Sequence, residues 1–340
     1  MIEQESSPFF SIIIPVYNTS NTVNRTVLSV INQSFSNIEV IIVDDCSTDD
    51  SLEILRTYEI RDKRVKVIHH EKNEGSLVSR ITGMKQAVGK YVLFLDSDDW
   101  LEKEACQLIY QSLQKNPVVV LQFGYYVEPK GKKDPFKIDK GNRFDALLQR
   151  NYEVAIWNKV YDIELIRKSL FYLEKVYCVY LEDGYMSIVF AYLTNSFGYL
   201  KKSIHHYETG IGISTQNQNS VEKIRKISES YAVALNKIEE FIKGNCPDKI
   251  SKFLSFKKKE LTHLARKCYF GQSSFEKKID NLKLAYSIVN DDLFIQLISK
   301  IKREEFLFSK IYDASWKKKW FYIFKYQLEF YTSLFFKQNK

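Results

Sequence analysis

The sequence predicts an α/β protein: a mostly parallel central sheet with flanking helices over residues 1–218, then an α-helical region over 219–340. Three observations point there. Short apolar runs alternate with amphipathic stretches from residue 9 to about 125, the strand–helix–strand rhythm of a parallel sheet covered on both faces. Several of these runs end abruptly in Asp, Asn, Ser and Thr, the residues expected where open α/β sheets bind ligands. After Ser220 the apolar period is helical almost to the end.

Taken in order, Phe10 to Val16 reads as a strand, and a helix follows from about Thr22 with Val23, Val27, Val30 and Ile31 on one side. Val40 to Val43 is a second strand, with a helix after Asp49. Val65 to His69 is a third, followed by a helix through Leu77, Ile81, Met84 and Val88. Tyr91 to Leu95 is the fourth, with a helix from Glu102, and Val118 to Phe123 is the fifth. Between 125 and 220 the elements become short and mixed, with a Lys/Gly/Asp-rich loop at Lys130 to Lys140. Helical segments are predicted near 221–243, 248–270, 274–289, 292–303 and 305–336, with breaks at Asn245-Cys246-Pro247 and Gly271 to Ser274.

The 340 residues suffice for two domains, and 45% hydrophobic content with few Gly and Pro argues against disorder. No window approaches eighteen consecutive apolar residues, so no membrane-spanning helix is expected. Met1 to Ser7 is polar and lacks a cleavable apolar core. Five widely spaced cysteines form no Cys-x-x-Cys and suit a reducing compartment, so the expected location is cytoplasmic. The net charge of +8 is not gathered on a nucleic-acid reader motif, and no nucleic-acid partner is expected. The last 25 residues place six lysines and a single Glu329 among Trp316, Trp320, Phe321, Tyr322, Phe330 and other aromatics. Such a helix suits peripheral contact with the inner face of the cell membrane. It equally suits packing on the helical region or a homo-oligomer interface.

The acids after the fourth strand carry the most information. Asp96, Asp98 and Asp99 fall within four residues, and such a cluster repels itself unless a cation sits among them. A hard divalent ion, Mg²⁺ or Mn²⁺, is the natural partner and would hold phosphates in turn. The plainer reading is a solvated acidic turn in which Asp99 caps the next helix. Strand one ends in Pro15-Val16-Tyr17-Asn18 and strand two in Asp44-Asp45-Cys46-Ser47-Thr48-Asp49. In a doubly wound sheet these tips adjoin the acidic one, with groups suited to a base and a ribose. Asn18 and Asp49 read equally well as helix caps.

Ser11 to Asn18, Val43 to Asp49 and Asp96-Ser97-Asp98-Asp99, in this order and spacing, resemble family 2 glycosyltransferases of the GT-A (Rossmann-like) fold. Trp157-Asn158-Lys159-Val160-Tyr161, Leu181-Glu182-Asp183 and Tyr207-x-x-Gly210-x-Gly212 extend the resemblance to about residue 215. It implies an inverting, metal-dependent enzyme that moves a sugar from a UDP-sugar to a hydroxyl of a glycan, glycolipid or glycoprotein acceptor. Pro15, Val16, Tyr17 and Asn18 would hold the uridine, and Asp45 would accept from the uracil N3–H. Asp96 and Ser97 would face the ribose, with Asp98, Asp96 and Asp99 as metal ligands and Arg80 near the diphosphate. The resemblance also implies Asp183 as catalytic base, with Glu182 as its neighbour or substitute, and His206 or His205 as an added metal ligand. The neighbouring His69-His70 pair reads as structural, and Lys159 as either a diphosphate-side group or a solvated lysine. Arg80 lacks the Asn that follows it in relatives, and Cys46 stands where many have Gly.

Two rivals are weaker. A nucleotidyltransferase would need a Gly-rich basic loop after the first strand, and Pro15 to Thr22 has neither property. A catalytically weak nucleotide-sugar-binding or scaffold subunit would not require Asp45, Asp98 and Asp183 together.

Overall fold

The apolar runs fold as four parallel strands, β1 Phe10–Val16, β2 Ile38–Asp44, β3 Val65–His69 and β4 Tyr91–Phe94. The structure, a computed structural model, describes residues 7–128, 131–133, 142–149, 154–209, 220–270, 275–294 and 296–298, with backbone alone at 131–133, 269–270 and 275–276. Within these residues follow β5 Trp100–Leu101, β6 Val120–Glu128, β7 Gly131–Lys133, β8 Lys159–Asp162 and β9 Phe197–Glu208. The sheet order is β3-β2-β1-β4-β8-β6-β9-β5, with β7 paired to β6. β8 runs antiparallel between β4 and β6, so the sheet is parallel in its first half and mixed in its second. Because β1 lies between β2 and β4, its tip adjoins both of theirs, which is the arrangement the clustered polar tips require.

Helices α1 Val23–Ile31, α2 Ser51–Arg61, α3 Ser76–Gln86 and α4 Ala105–Lys115 cover this half. Alternation along β1 decides which helix meets which residue. Ile12 and Ile14 join Val23, Val27 and Val30 of α1 and Ile109 and Leu113 of α4 in one core. Each such fully buried Val, Ile or Leu contributes about 1.5–3 kcal/mol. Ile13 points to the opposite face, where α3 lies so close that a Cβ on Gly83 would stand 2.4 Å from Ile13 Cγ2. Helices therefore cover both faces. Val88, expected on α3, follows its end at Gln86 and is 56% exposed.

The acidic turn does not lead directly into a helix. Trp100 and Leu101 pair with His206 and His205 of β9, and the Glu102 amide donates to the Ile204 carbonyl, which delays α4 to Ala105. Asp99 is thus no helix cap.

Helices α5 Arg143–Leu148, α6 Ile163–Ser169, α7 Glu182–Leu193, α8 Val221–Asn245, α9 Ile250–Phe270 and α10 Phe275–Val289 follow. The chain divides into two compact units, Met1–Glu260 and Leu261–Lys340, and α8 lies within the first. Its buried stripe of Ile224, Ile227, Tyr231, Leu235 and Ile238 explains this, since α8 packs on α7 and the Ser230 hydroxyl accepts from the Val179 amide. In the second unit, Leu261, Leu264, Ala265 and Cys268 of α9 and Leu282 and Ala285 of α10 are buried. Among the described residues no helix is long and apolar enough to cross a membrane. The basic aromatic segment 316–340 lies outside the described residues.

Candidate active site

The acidic turn is shaped from below by α1. The Thr22 hydroxyl lies 3.0 Å from the Ser97 carbonyl, and that of Thr26 lies 2.9 and 2.7 Å from the carbonyls of Ser97 and Asp99. Arg25, exposed and stacked 3.7 Å over the Trp100 ring, donates to the Asp98 carbonyl at 2.7 Å and pairs with Glu208 at 3.1 Å. With backbone and Ser97 turned toward these donors, the carboxylates are left to be partnered separately, and each meets a different fate.

Asp99 is fully buried. Its Oδ2 lies 2.8 Å from His205 Nε2, and its Oδ1 accepts from the Glu208 amide at 2.9 Å. Burial lowers His205 to about 3 and raises Asp99, so the low-dielectric site disfavours the charged form of each partner. Asp96 is half-buried and binds Arg80 Nη2 at 2.7 Å. Among the described residues no side chain pairs with the Asp98 carboxylate. Burial, then Asp99 and Asp96, push it up to about 7.

The tips of β1 and β2 lock together through left-handed residues. Asn18 and Cys46 have φ of 52° and 62°, conformations that cost an ordinary residue roughly 1–2 kcal/mol. At Cys46 this explains why glycine suits the position. The Ser47 hydroxyl accepts from the Asn18 amide, the Thr48 amide donates to Asn18 Oδ1, and the Asp45 amide donates to the Val16 carbonyl. Asn18 and Asp49 thus serve as loop-to-loop clasps, with Asp49 accepting from the Ser20 and Ser51 amides. Pro15 and Tyr17 are half-buried and Val16 is buried at this seam.

Asp45 is buried at the floor of the same tip. Its Oδ1 accepts from His70 Nδ1 at 2.8 Å and the Glu74 amide at 2.9 Å, and its Oδ2 from the Gly75 amide at 2.7 Å. Gly75 has a φ of 88°, and a Cβ there would meet the Cys178 backbone at 3.1 Å, so only glycine can present this amide at the start of α3. His70, read from the sequence as structural, is thus tied to a predicted site residue. The signal was the β2–β3 register, which sets Asp44 opposite His69 and brings the His pair beside the Asp pair. His69 does bind Asp44, at 2.7 Å.

The third component is the first turn of α7. It is entered through Leu181, at φ 66°, another non-glycine residue held left-handed beside the site. Glu182 is buried, and its Oε1 accepts from Ser76 Oγ at 2.7 Å and Arg80 Nη1 at 2.9 Å. Asp183 lies 3.6 Å from Arg80 Nη1, and its Oδ1 accepts no hydrogen bond within the described residues. Burial outweighs Arg80 and, helped by Glu182 and Asp96, pushes Asp183 up to about 7. One guanidinium, 4% exposed, therefore joins Asp96 of the β4 tip to Glu182 and Asp183 of α7. Burial alone would lower its pKa, but Asp96, Asp183 and Glu182 raise it above its usual value.

Other predicted residues fall elsewhere. His206 is stacked between Trp100 and Tyr126, with Nδ1 and Nε2 each 2.9 Å from Glu128 and Glu102. Lys159 is not solvated: it is buried and donates to the Ala155 carbonyl and Asn158 Oδ1. Trp157 stacks on His205 and Tyr207. Gly210 and Gly212 lie outside the described residues.

Whether a divalent ion fits can be judged from the donors. Asp99 is committed to His205 and Glu208, and both nitrogens of His206 face carboxylates. Among the described residues no three His, Cys, Asp or Glu side chains converge as a ready metal site. Asp98 and the Asp96 oxygen not bound to Arg80 remain, an oxygen-only pair of carboxylates. That suits Mg²⁺ or Mn²⁺ completed by phosphate and water.

Comparison with known proteins assigns this architecture to the glycosyltransferases of GT-A fold. Staphylococcus aureus TarS 1–349, crystallised with UDP-GlcNAc, superposes with a TM-score of 0.54 over 87% of this chain and 92% of that one, at 19% identity. Residues 11–173 match the model of glycosyl transferase family 2. A provisionally named glycosyltransferase, EpsH of Bacillus subtilis (strain 168), is 30% identical over 70% of this chain and 73% of its own length. Glycosyltransferase GlyA of Streptococcus pneumoniae serotype 4 is 30% identical over 58% of this chain, which spans only 30% of GlyA. The chain belongs to glycosyl transferase family 2.

Proposed function

We propose that this glycosyltransferase moves a sugar from a UDP-sugar to a hydroxyl of a surface glycan, glycolipid or glycoprotein, with inversion at the anomeric carbon. The observation that carries the reading is the Arg80 bridge, which ties the β4 acidic tip at 2.7 Å to the α7 acids at 2.9 and 3.6 Å. Donor-side and acceptor-side carboxylates thereby share one rigid cation.

Asp183, whose Oδ1 faces Arg80 at 3.6 Å without accepting a hydrogen bond, is the base. It takes the acceptor proton as that oxygen bonds to the anomeric carbon and the bond to UDP breaks on the opposite side. Glu182, whose Oε1 accepts from both Ser76 and Arg80, orients rather than abstracts. Arg80, enclosed by three carboxylates, positions them and does not reach the diphosphate as a free cation. Tyr17 and Asn18 flank the nucleoside, and Asp45 reads its base. Asp98 and Asp96 would hold Mg²⁺ or Mn²⁺, which supplies Lewis-acid stabilisation of departing UDP. TarS, whose crystals contain UDP-GlcNAc, supports the choice of a uridine donor.

Thermal shift with UDP, with and without Mn²⁺, tests the donor half. Stabilisation by UDP that requires the metal is the expected result, and no response to UDP at any metal concentration refutes it. A panel of UDP-sugars assayed by UDP release then identifies the sugar.

A further inference from the structure

We infer that His70 is a specificity-determining residue that restricts the Asp45 pocket to nucleobases offering a single ring N–H with no second donor beside it. The inference rests on the nucleotide reading above. A carboxylate has about four lone-pair directions. In Asp45 three are filled from within the protein, by His70 Nδ1 at 2.8 Å, the Glu74 amide at 2.9 Å and the Gly75 amide at 2.7 Å. Oδ1 holds two of these donors and Oδ2 holds one. Only one acceptor direction is left, on Oδ2, and the side chain is 4% exposed, so the window is narrow.

A uracil edge presents one N–H between two carbonyls and matches a single acceptor. A guanine edge presents the N1–H and the 2-amino group side by side, and such an edge pairs with a carboxylate only when both oxygens are open. Here Oδ1 is closed. Its two closing donors differ in kind: the Glu74 amide is backbone and invariant to side-chain change, whereas the His70 imidazole is not. The imidazole is fixed in that role because its other nitrogen, Nε2, lies 3.1 Å from the Thr82 hydroxyl, whose proton it accepts while Nδ1–H donates to Asp45. The ring is buried, which keeps water from taking its place.

Displacement of bound UDP from the full-length chain by inosine diphosphate and by guanosine diphosphate isolates the effect. The two purines have the same ring size and differ on this edge only by the 2-amino donor. The wild-type chain is expected to favour inosine diphosphate by about tenfold or more, the scale of a buried donor left unpaired. His70→Leu removes the donor, and His70→Gln moves it toward the Nε2 side. In both, guanosine diphosphate should gain affinity until the preference disappears. His70→Asn, which keeps an N–H near the Nδ1 position, should retain the preference. A gain in affinity is a readout that mere loosening of the fold does not produce. Equal binding of the two purines by the wild type, an unchanged ratio in both His70→Leu and His70→Gln, or no displacement by guanosine diphosphate in any variant overturns the inference. Failure of the wild-type chain to bind UDP at all is a different result, and it refutes the nucleotide reading itself.

Discussion

Replacing Arg80 with Met is the most searching test of the site, because it removes charge while keeping an unbranched side chain of similar reach. The guanidinium is 4% exposed and faces Asp96 at 2.7 Å, Glu182 at 2.9 Å and Asp183 at 3.6 Å. Breaking a buried ion pair from one side costs about 3–5 kcal/mol, since the abandoned charges stay buried. At 2–4 °C per kcal/mol for a unit of this size, the expected loss in Tm is roughly 6–20 °C at pH 8. The sign of the pH dependence follows from Asp183, whose pKa already stands at about 7 and rises further without Arg80. A carboxylate with a raised folded pKa contributes its stability below its unfolded pKa and loses it as pH climbs through the folded one. The Arg80→Met deficit should therefore be largest above pH 7 and shrink toward pH 5, where protonation relieves the repulsion. Urea denaturation at both pH values, with near-UV circular dichroism to confirm folding, measures this. A deficit under about 1 kcal/mol at pH 8, or equal deficits at pH 5 and pH 8, would refute the bridge as described. Arg80→Lys should fall between, because one ammonium cannot span three carboxylates.

Asp183→Asn should retain UDP affinity within about twofold yet lose transfer by roughly 10²–10⁴-fold, the range of a general base. Wild-type transfer should rise with pH through about 7, where Asp183 ionises, and a pH–rate profile with no such limb counts against Asp183. Asp98→Asn should weaken UDP binding in Mn²⁺ by about tenfold or more while leaving metal-free binding unchanged, as calorimetry with and without EDTA reads directly. Flotation of the full chain with anionic vesicles tests peripheral contact by 316–340: floating that disappears on deleting those residues supports it, and a chain that stays at the bottom excludes it.

Much of this architecture was legible because β1, β2 and β4 carry apolar runs buried on both faces, a pattern that leaves little choice of partner. The acidic tip was legible for the opposite reason, since Asp96, Asp98 and Asp99 interrupt such a run without softening. Illegible were the elements decided by long-range pairing. The two-residue strand Trp100–Leu101 exists only because His205 and His206 return beside it, and no local pattern announces it. Nor could sequence divide the labour among neighbouring acids. Asp98 and Asp99 are adjacent and alike on paper, yet one meets a buried histidine and the other pairs with no described side chain. His70 read as structural, but its tie to Asp45 stayed hidden because a histidine at a strand end has no signature until the neighbouring strand's register is known.

That division of labour has a consequence for how the site tolerates its own charge. Asp99 and Glu182 each accept from two internal donors, and each lies beneath or behind the surface of the site. Asp98 pairs with no described side chain, Asp183 Oδ1 faces Arg80 at 3.6 Å without accepting a hydrogen bond, and both acids are pushed up to about 7. Asp99 and Glu182 are scaffold, whereas Asp45, with three internal donors, keeps one acceptor direction for a nucleobase. Asp98 and Asp183 store unfavourable electrostatics in the empty protein, held in place by the rigid tip on one side and Arg80 on the other. A ligand bringing a cation to Asp98 and an acceptor hydroxyl to Asp183 relieves both at once. Binding of the true substrates is in this way coupled to the chemistry, because the two carboxylates least satisfied by the fold are the two the reaction requires.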